Sequence, residues 1–252
     1  MISAAATHPG CVRTNNEDYV KIDDAQGIYL LADGIGGHNA GEVASALAVE
    51  TVYSILKANL PHTEVDDYAE LMIHALHTAH WEILSRSQAD PALSRMGTTL
   101  VFAVVRQQYA YIVNTGDSRC YLFQPDFYPH PDPLLEQKYH KLSRLTQDHT
   151  VGDQLLEQGV PSSEIPRKQF HTLTRSLGCG NPPDPDARVQ EIKPGDLLLF
   201  CSDGLSDMLS DEALELLLGE YQGEVQGLAD RLIAAANARG GRDNVSVVIV
   251  AC

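Results

Sequence analysis

The chain has 252 residues, 44% of them hydrophobic and 21% charged, and 34 acidic side chains against 18 basic ones give a formal net charge of −16. Such a length and make-up suit one globular domain with a sizeable core. The acidic excess argues against a nucleic-acid or anionic-membrane binder, whose footprint would be basic. No apolar stretch approaches the ~20 residues that cross a bilayer. Met1-Ile2-Ser3-Ala4 lacks the basic start of a secretory signal. The five cysteines (11, 120, 179, 201 and 252) are odd in number and form no Cys-x-x-Cys pair. They read as reduced thiols of a cytoplasmic protein rather than a disulfide frame or zinc site.

In chain order, Ile2 to Thr7 reads as an opening strand, and Pro9-Gly10 as a turn. The polar cluster Arg13-Thr14-Asn15-Asn16-Glu17-Asp18 precedes Tyr19 to Ile22, where alternation resumes. Tyr29-Leu30-Leu31-Ala32 is a short apolar run of the kind that makes a buried strand. Glu42 to Leu60 predicts a helix burying Val43, Leu47, Ala48, Tyr53 and Leu56. Asp66 to about Arg86 predicts a second, with Tyr68, Leu71, Met72, Ala75, Leu76, Ala79 and Ile83 at the spacing of one face. His74, His77 and His80 lie off that stripe and read as solvated. Leu100 to Val105, Tyr109 to Asn114 and Cys120 to Phe123 predict a meander. A surface insertion over about 124–141 holds four prolines and two histidines.

Leu142 to Thr146 reads as a strand, followed by a short helix through about Gln158. Gly159 to Pro185 is either a linker or a mobile flap, and the ordered-looking Leu173-Thr174-Arg175-Ser176-Leu177-Gly178 favours the flap. Leu197 to Cys201 is a second buried apolar run. Asp211 to Leu218 and about Val225 to Arg239 predict helices, and Val245 to Ala251 a closing strand. Strands, two long helices, more strands and a terminal helix pair suggest helices layered on antiparallel sheets. No fixed-period repeat is present.

The two apolar runs share one feature: each delivers an Asp-Gly pair, Asp33-Gly34 and Ser202-Asp203-Gly204. A carboxylate at a strand end, beside backbone that a ligand can approach closely, suits a hard cation such as Mg²⁺ or Mn²⁺. Two such ends in one chain suggest a shared site. No cysteine is followed by an arginine six residues on, so a Cys-x₅-Arg phosphate loop is excluded.

Arg13…Asn16-Glu17-Asp18, Asp33-Gly34-Ile35-Gly36-Gly37, Gly97-Thr98-Thr99, Gly116-Asp117-Ser118-Arg119, Ser202-Asp203-Gly204 and Asp243-Asn244 occur in that order. Together they resemble the PPM family, the metal-dependent type 2C protein serine/threonine phosphatases, and most closely its compact bacterial members. The likeness covers nearly the whole chain. It implies an α+β fold: one domain over 1–252, a β-sandwich of two antiparallel sheets flanked by helix pairs, with a flap subdomain at about 148–180.

Carried over residue by residue, the resemblance implies that Asp33 bridges two metal ions and that the Gly34 carbonyl contacts one. Asp203 and Asp243 complete the other, and Asp117 with Asp203 holds a weaker third. Asp18 acts nearby through water, with Glu17 the alternative for that role, and Arg13 grips the substrate phosphate. The implied cofactor is Mn²⁺ or Mg²⁺, two ions that hold and activate a bridging water. Many eukaryotic members carry a histidine directly after the Asp-Gly pair; Ile35 stands there in this chain, so the proton donor is either a metal-bound water or His38 from the same loop. The implied substrates are phosphoserine and phosphothreonine proteins, products of a serine/threonine kinase, handled by a cytoplasmic monomer. A non-catalytic phosphatase-like binding module and a phosphatase of small phosphate esters are the alternatives.

Overall fold

Ile28 to Ala32 and Leu197 to Cys201 are apolar without interruption because each becomes a central strand covered on both faces, and that double burial sets the layering. The computed structural model describes residues 1–35, 40–127 and 139–252. In chain order the strands are β1 (Ile2–His8), β2 (Asp18–Asp23), β3 (Ile28–Ile35), β4 (Gly97–Thr98), β5 (Leu100–Arg106), β6 (Tyr109–Thr115), β7 (Arg119–Phe127), β8 (Tyr139–Arg144), β9 (Asp186–Glu191), β10 (Leu197–Cys201) and β11 (Val245–Ala251). The helices are α1 (Gly41–Asn59), α2 (Tyr68–Ala89), α3 (Val151–Glu157), α4 (Asp203–Ser206), α5 (Asp211–Gly219) and α6 (Val225–Ala238).

Among the described residues the strands form two antiparallel sheets, β1-β11-β10-β7-β8 and β2-β3-β5-β6-β9, with β4 pairing β3 off the second path. Alternate residues of each strand then feed different layers. Ile28, Leu30, Leu100, Phe102 and Val104 point toward α1 and α2. Tyr29, Leu31, Val101, Ala103, Leu198, Phe200, Val248 and Val250 fill the space between the sheets. Leu197, Leu199, Val247 and Ile249 meet α5 and α6. The order is helix, sheet, sheet, helix: an α+β sandwich. No helix among the described residues is long and apolar enough to cross a membrane.

Several expectations need correction. The α1 face that is buried runs Ala44, Ser45, Ala48, Val49, Val52 and Leu56, while Val43, Leu47 and Tyr53 are only partly covered. His80 is fully buried, not solvated. It completes the run Leu76, Ala79, His80, Ile83 at helical spacing, and its Nδ1 accepts a hydrogen bond from the Gly178 backbone N–H at 3.3 Å. Burial holds its pKa below the ordinary value. His77 meets the Pro183 carbonyl at 3.0 Å; His74 is exposed as expected. Strands β7 and β8 extend into the 124–141 range, which leaves 128–138 outside the described residues.

Candidate functional site

Strand pairing supplies the first two carboxylates. In the β2–β3 register Asp18 stands directly opposite Asp33. The backbone at Asp33 is pinned from the neighbouring chain: its N–H donates to Thr99 Oγ1 at 3.0 Å, and its carbonyl accepts from the Thr99 N–H and Thr98 Oγ1. Gly34 follows, and a side chain there would collide with the Gly41 carbonyl, so only glycine lets β3 run this close to the start of α1.

Three further carboxylates arrive from turns. Asp117 sits in the β6–β7 turn after Gly116, whose φ of +103° favours glycine. Asp203 opens α4 at the end of β10, and Asp243 precedes β11. Gly204 has the Asn244 carbonyl where a Cβ would be, so α4 and the β11 loop meet backbone to backbone. Asn244 clamps the N-terminal loop: its Oδ1 accepts from the Glu17 N–H, and its Nδ2 donates to the Pro9 and Asn15 carbonyls.

Asp33, Gly34, Asp117, Asp203, Asp243 and Arg13 all line one cavity of about 480 Å³. Asp18 stands behind that wall rather than on it. Its Oδ2 accepts from Ser202 Oγ at 2.8 Å, while its Oδ1 is buried with no hydrogen-bond partner. Glu17, the alternative to Asp18, does line the cavity, and Asn15 Nδ2 donates to its Oε1 at 2.9 Å. Arg13 lies on Asp243 at 2.8 Å, with more than half of its side chain exposed. His38 lies outside the described residues.

The electrostatics follow from the crowding. Burial, then the neighbouring Asp18, Asp203, Asp117 and Asp243, pushes the Asp33 carboxyl well above its ordinary pKa. Asp117 is raised for the same reasons, burial first and then Asp203 and Asp148. Burial raises Asp18 to about 7, against hydrogen bonds from Ser246 and Ser202 that favour the carboxylate. Asp203 rises to about 6 through burial and the charges of Asp207 and Asp243, partly offset by its hydrogen bond with Asp33. So many acids cannot all ionise together without a countercharge. The donors facing the cavity are mainly oxygen, the set that hard divalent cations take, and Asp18 Oδ1 has its acceptor capacity unused. The residues therefore fit Mn²⁺ or Mg²⁺.

Sequence reasoning missed several participants. His171, from the 148–180 segment, brings Nδ1 within 3.6 Å of Asp207 Oδ2, and ligand atoms of His171, Asp203 and Asp207 lie within 4.8 Å of one another. Asp207 follows Asp203 by four residues, one helical turn, a spacing visible in the sequence. Asp148 takes a bidentate Arg119 contact and a second arginine, Arg144, at 2.6 Å. Its neighbour His149 is buried, which lowers its pKa despite the hydrogen-bonded Asp186. Apart from Arg144, four residues before Asp148, their side-chain partners are 26 to 37 residues away, so no local pattern marks these two.

Comparison with known proteins places this geometry. Residues 12–232 match the family model described as protein phosphatase 2C. The serine/threonine phosphatase stp of Listeria monocytogenes serotype 4b is 34% identical over 251 residues, covering 97% of this chain and 93% of that protein. The crystal structure of the Mycobacterium tuberculosis serine/threonine phosphatase PstP/Ppp superposes with a TM-score of 0.83 at 34% identity, over 98% of this chain and 97% of the other. A structure of the PstP catalytic domain in complex with two manganese ions gives a TM-score of 0.80 at 33% identity, over 98% and 96% of the chains. The motif order, the sandwich and the carboxylates gathered on one cavity have one common explanation: this chain belongs to the protein phosphatase 2C family.

Proposed function

We propose that this chain is a divalent-cation-dependent protein serine/threonine phosphatase, with Asp33, the Gly34 carbonyl, Asp203 and Asp243 holding two ions and Asp117 with Asp203 a weaker third. The observation that carries the reading is the convergence of Asp33, Asp117, Asp203 and Asp243 on one cavity that also holds Arg13. When bound there, Mn²⁺ or Mg²⁺ would lower the pKa of a water toward neutrality and neutralise charge on the phosphoryl group. The listeria and mycobacterial relatives named as serine/threonine phosphatases support a phosphoprotein substrate.

The protein's own groups divide the remaining work. Thr98, Thr99 and the β2–β3 ladder fix the Asp33 backbone before any ligand arrives, so no reorganisation is needed at that strand end. Arg13, half exposed and held by a single ion pair, leaves Asp243 and forks onto the phosphate oxygens. Asp18 accepts a proton-bearing partner through Oδ1 at the back of the site. Ile35 cannot carry a proton, so His38 is assigned the transfer to the leaving alkoxide. The 148–180 segment, which presents His171, Leu173 and Ser176 to the cavity, serves as a flap over the substrate. A cytoplasmic monomer opposing a serine/threonine kinase completes the reading.

The test compares hydrolysis of phosphoserine and phosphothreonine peptides with that of an aryl phosphate, in Mn²⁺ and in excess chelator. Cation-dependent turnover that favours the phosphopeptides supports the proposal. Full-speed phosphopeptide cleavage in chelator refutes the cation role, turnover of the aryl phosphate alone indicates a small-ester phosphatase, and no turnover indicates a binding module.

A further inference from the structure

Gly116 carries the turn that presents Asp117, and both polar groups of its backbone are taken by one residue. The Gly116 N–H donates to His149 Nδ1 at 3.1 Å, and the Gly116 carbonyl accepts from the His149 N–H at 3.0 Å. Because Nδ1 is an acceptor, the neutral ring carries its proton on Nε2. That proton goes to Asp186 Oδ2 at 3.2 Å; Arg175 Nη1 lies 3.0 Å from the same ring nitrogen and, since Nε2 is protonated, donates instead to Asp186 Oδ1 at 2.9 Å. Arg175 belongs to the 148–180 segment and also donates to the Asp184 carbonyl. The His149 carbonyl accepts from the Thr174 N–H at 2.8 Å. One buried imidazole thus grips the Asp117 turn with one edge and the far limb of the segment with the other.

The other side of the same turn is tied to Asp33. Ser118 Oγ pairs with Thr99 Oγ1 at 2.8 Å, and Thr99 Oγ1 accepts from the Asp33 N–H. Asp117 is therefore held between two anchors: a fixed one at the strand end, and His149, which follows the 148–180 segment.

The geometry points to His149 as a positioning residue that couples the placement of the 148–180 segment to the placement of Asp117, and through it to cation affinity at the weaker site. This rests on the reading of Asp117 as a ligand. Outer contacts of this kind change metal affinity or activity by about 10–100-fold when removed. His149 is not among the residues that line the cavity, so it acts through the Gly116 peptide, Asp186, and the Thr174–Arg175 stretch.

Two substitutions separate its edges. In H149N the amide oxygen stands where Nδ1 stood, so the Gly116 bond survives and the reach to Asp186 is lost. In H149Q the amide reaches the Nε2 position, so Asp186 keeps its partner and the Gly116 N–H loses its acceptor. The experiment measures Mn²⁺ binding isotherms of both variants, D117N, H149A and the parent, with KM and kcat on a phosphopeptide. Expected are a weak-site affinity about tenfold lower for H149Q and H149A, a parent-like isotherm for H149N, and a raised KM at near-parent kcat for H149N. Parent-like isotherms for H149Q beside a weakened D117N would overturn the joint alone. A D117N isotherm equal to the parent's would overturn the ligand reading of Asp117 and the joint with it. Equal losses of melting temperature in H149N and H149Q, with unchanged isotherms and KM, would reduce His149 to a packing residue.

Discussion

Asp18 and Asp33 meet because a strand register puts them opposite each other, and the consequence is a proton equilibrium. The carboxyls of Asp18 and Asp203 titrate near 7 and 6 in the folded chain, above the ordinary 3.8. Between 3.8 and those values the folded protein holds protons that the unfolded chain has released. Their contribution to stability is therefore full at acid pH and is lost as pH rises through 6 to 7. We predict that this contribution lowers the melting temperature of the chelator-treated protein between pH 5.5 and 8, while the rise produced by Mn²⁺ grows over the same range. Scanning fluorimetry at several pH values checks both trends, and a Mn²⁺ effect independent of pH would contradict them. Arg13 gives a second test at this scale. Its ion pair with Asp243 is exposed and adds little stability. R13A should leave the melting temperature within about 1 °C, yet raise KM for phosphopeptides about tenfold, as loss of one charged hydrogen-bonding partner implies.

Among the elements, those with both faces buried were the legible ones. β3, β5, β10 and β11 announce themselves as apolar runs, and α2 by its stripe. β9 was missed because Asp186-Ala-Arg-Val-Gln-Glu191 is an exposed edge strand with no buried side to impose alternation. α4 is a single turn, too short to show a period. The convergence of the carboxylates on one cavity was legible only through the order of the motifs and the family they resemble. Nothing local in the sequence reveals that Asp18 faces Asp33, or that the Gly204 backbone abuts Asn244. The role of His149 was hidden because its partners come from three separated stretches of chain. Local capping, by contrast, is directly testable. Thr150 Oγ1 accepts from the Asp153 N–H at 3.0 Å at the start of α3. T150A removes that cap, costs about 1 kcal/mol and should lower the melting temperature by about 2–4 °C. G204A should cost more, since its methyl group would meet a backbone carbonyl that cannot swing aside.

For the molecule as a whole, a net charge of −16 means that cation binding and ionic strength act on the same quantity. Mn²⁺ at 100 times its dissociation constant should stabilise the fold by about 2.7 kcal/mol per independent site. Monovalent salt screens general repulsion without reproducing that saturable rise, and melting curves in NaCl and in MnCl₂ at matched ionic strength distinguish the two. The sandwich also has a seam. β1 and β11 are neighbours, and Ile2 lies opposite Ala251 at the edge of the first sheet, a separation of about 5 Å in an antiparallel ladder. A short glycine-serine bridge could therefore join residue 252 to residue 2, with new ends opened elsewhere on the surface. Such a circular permutant would keep every carboxylate in register, which makes the fold a scaffold whose chain order can be rewritten without disturbing its chemistry.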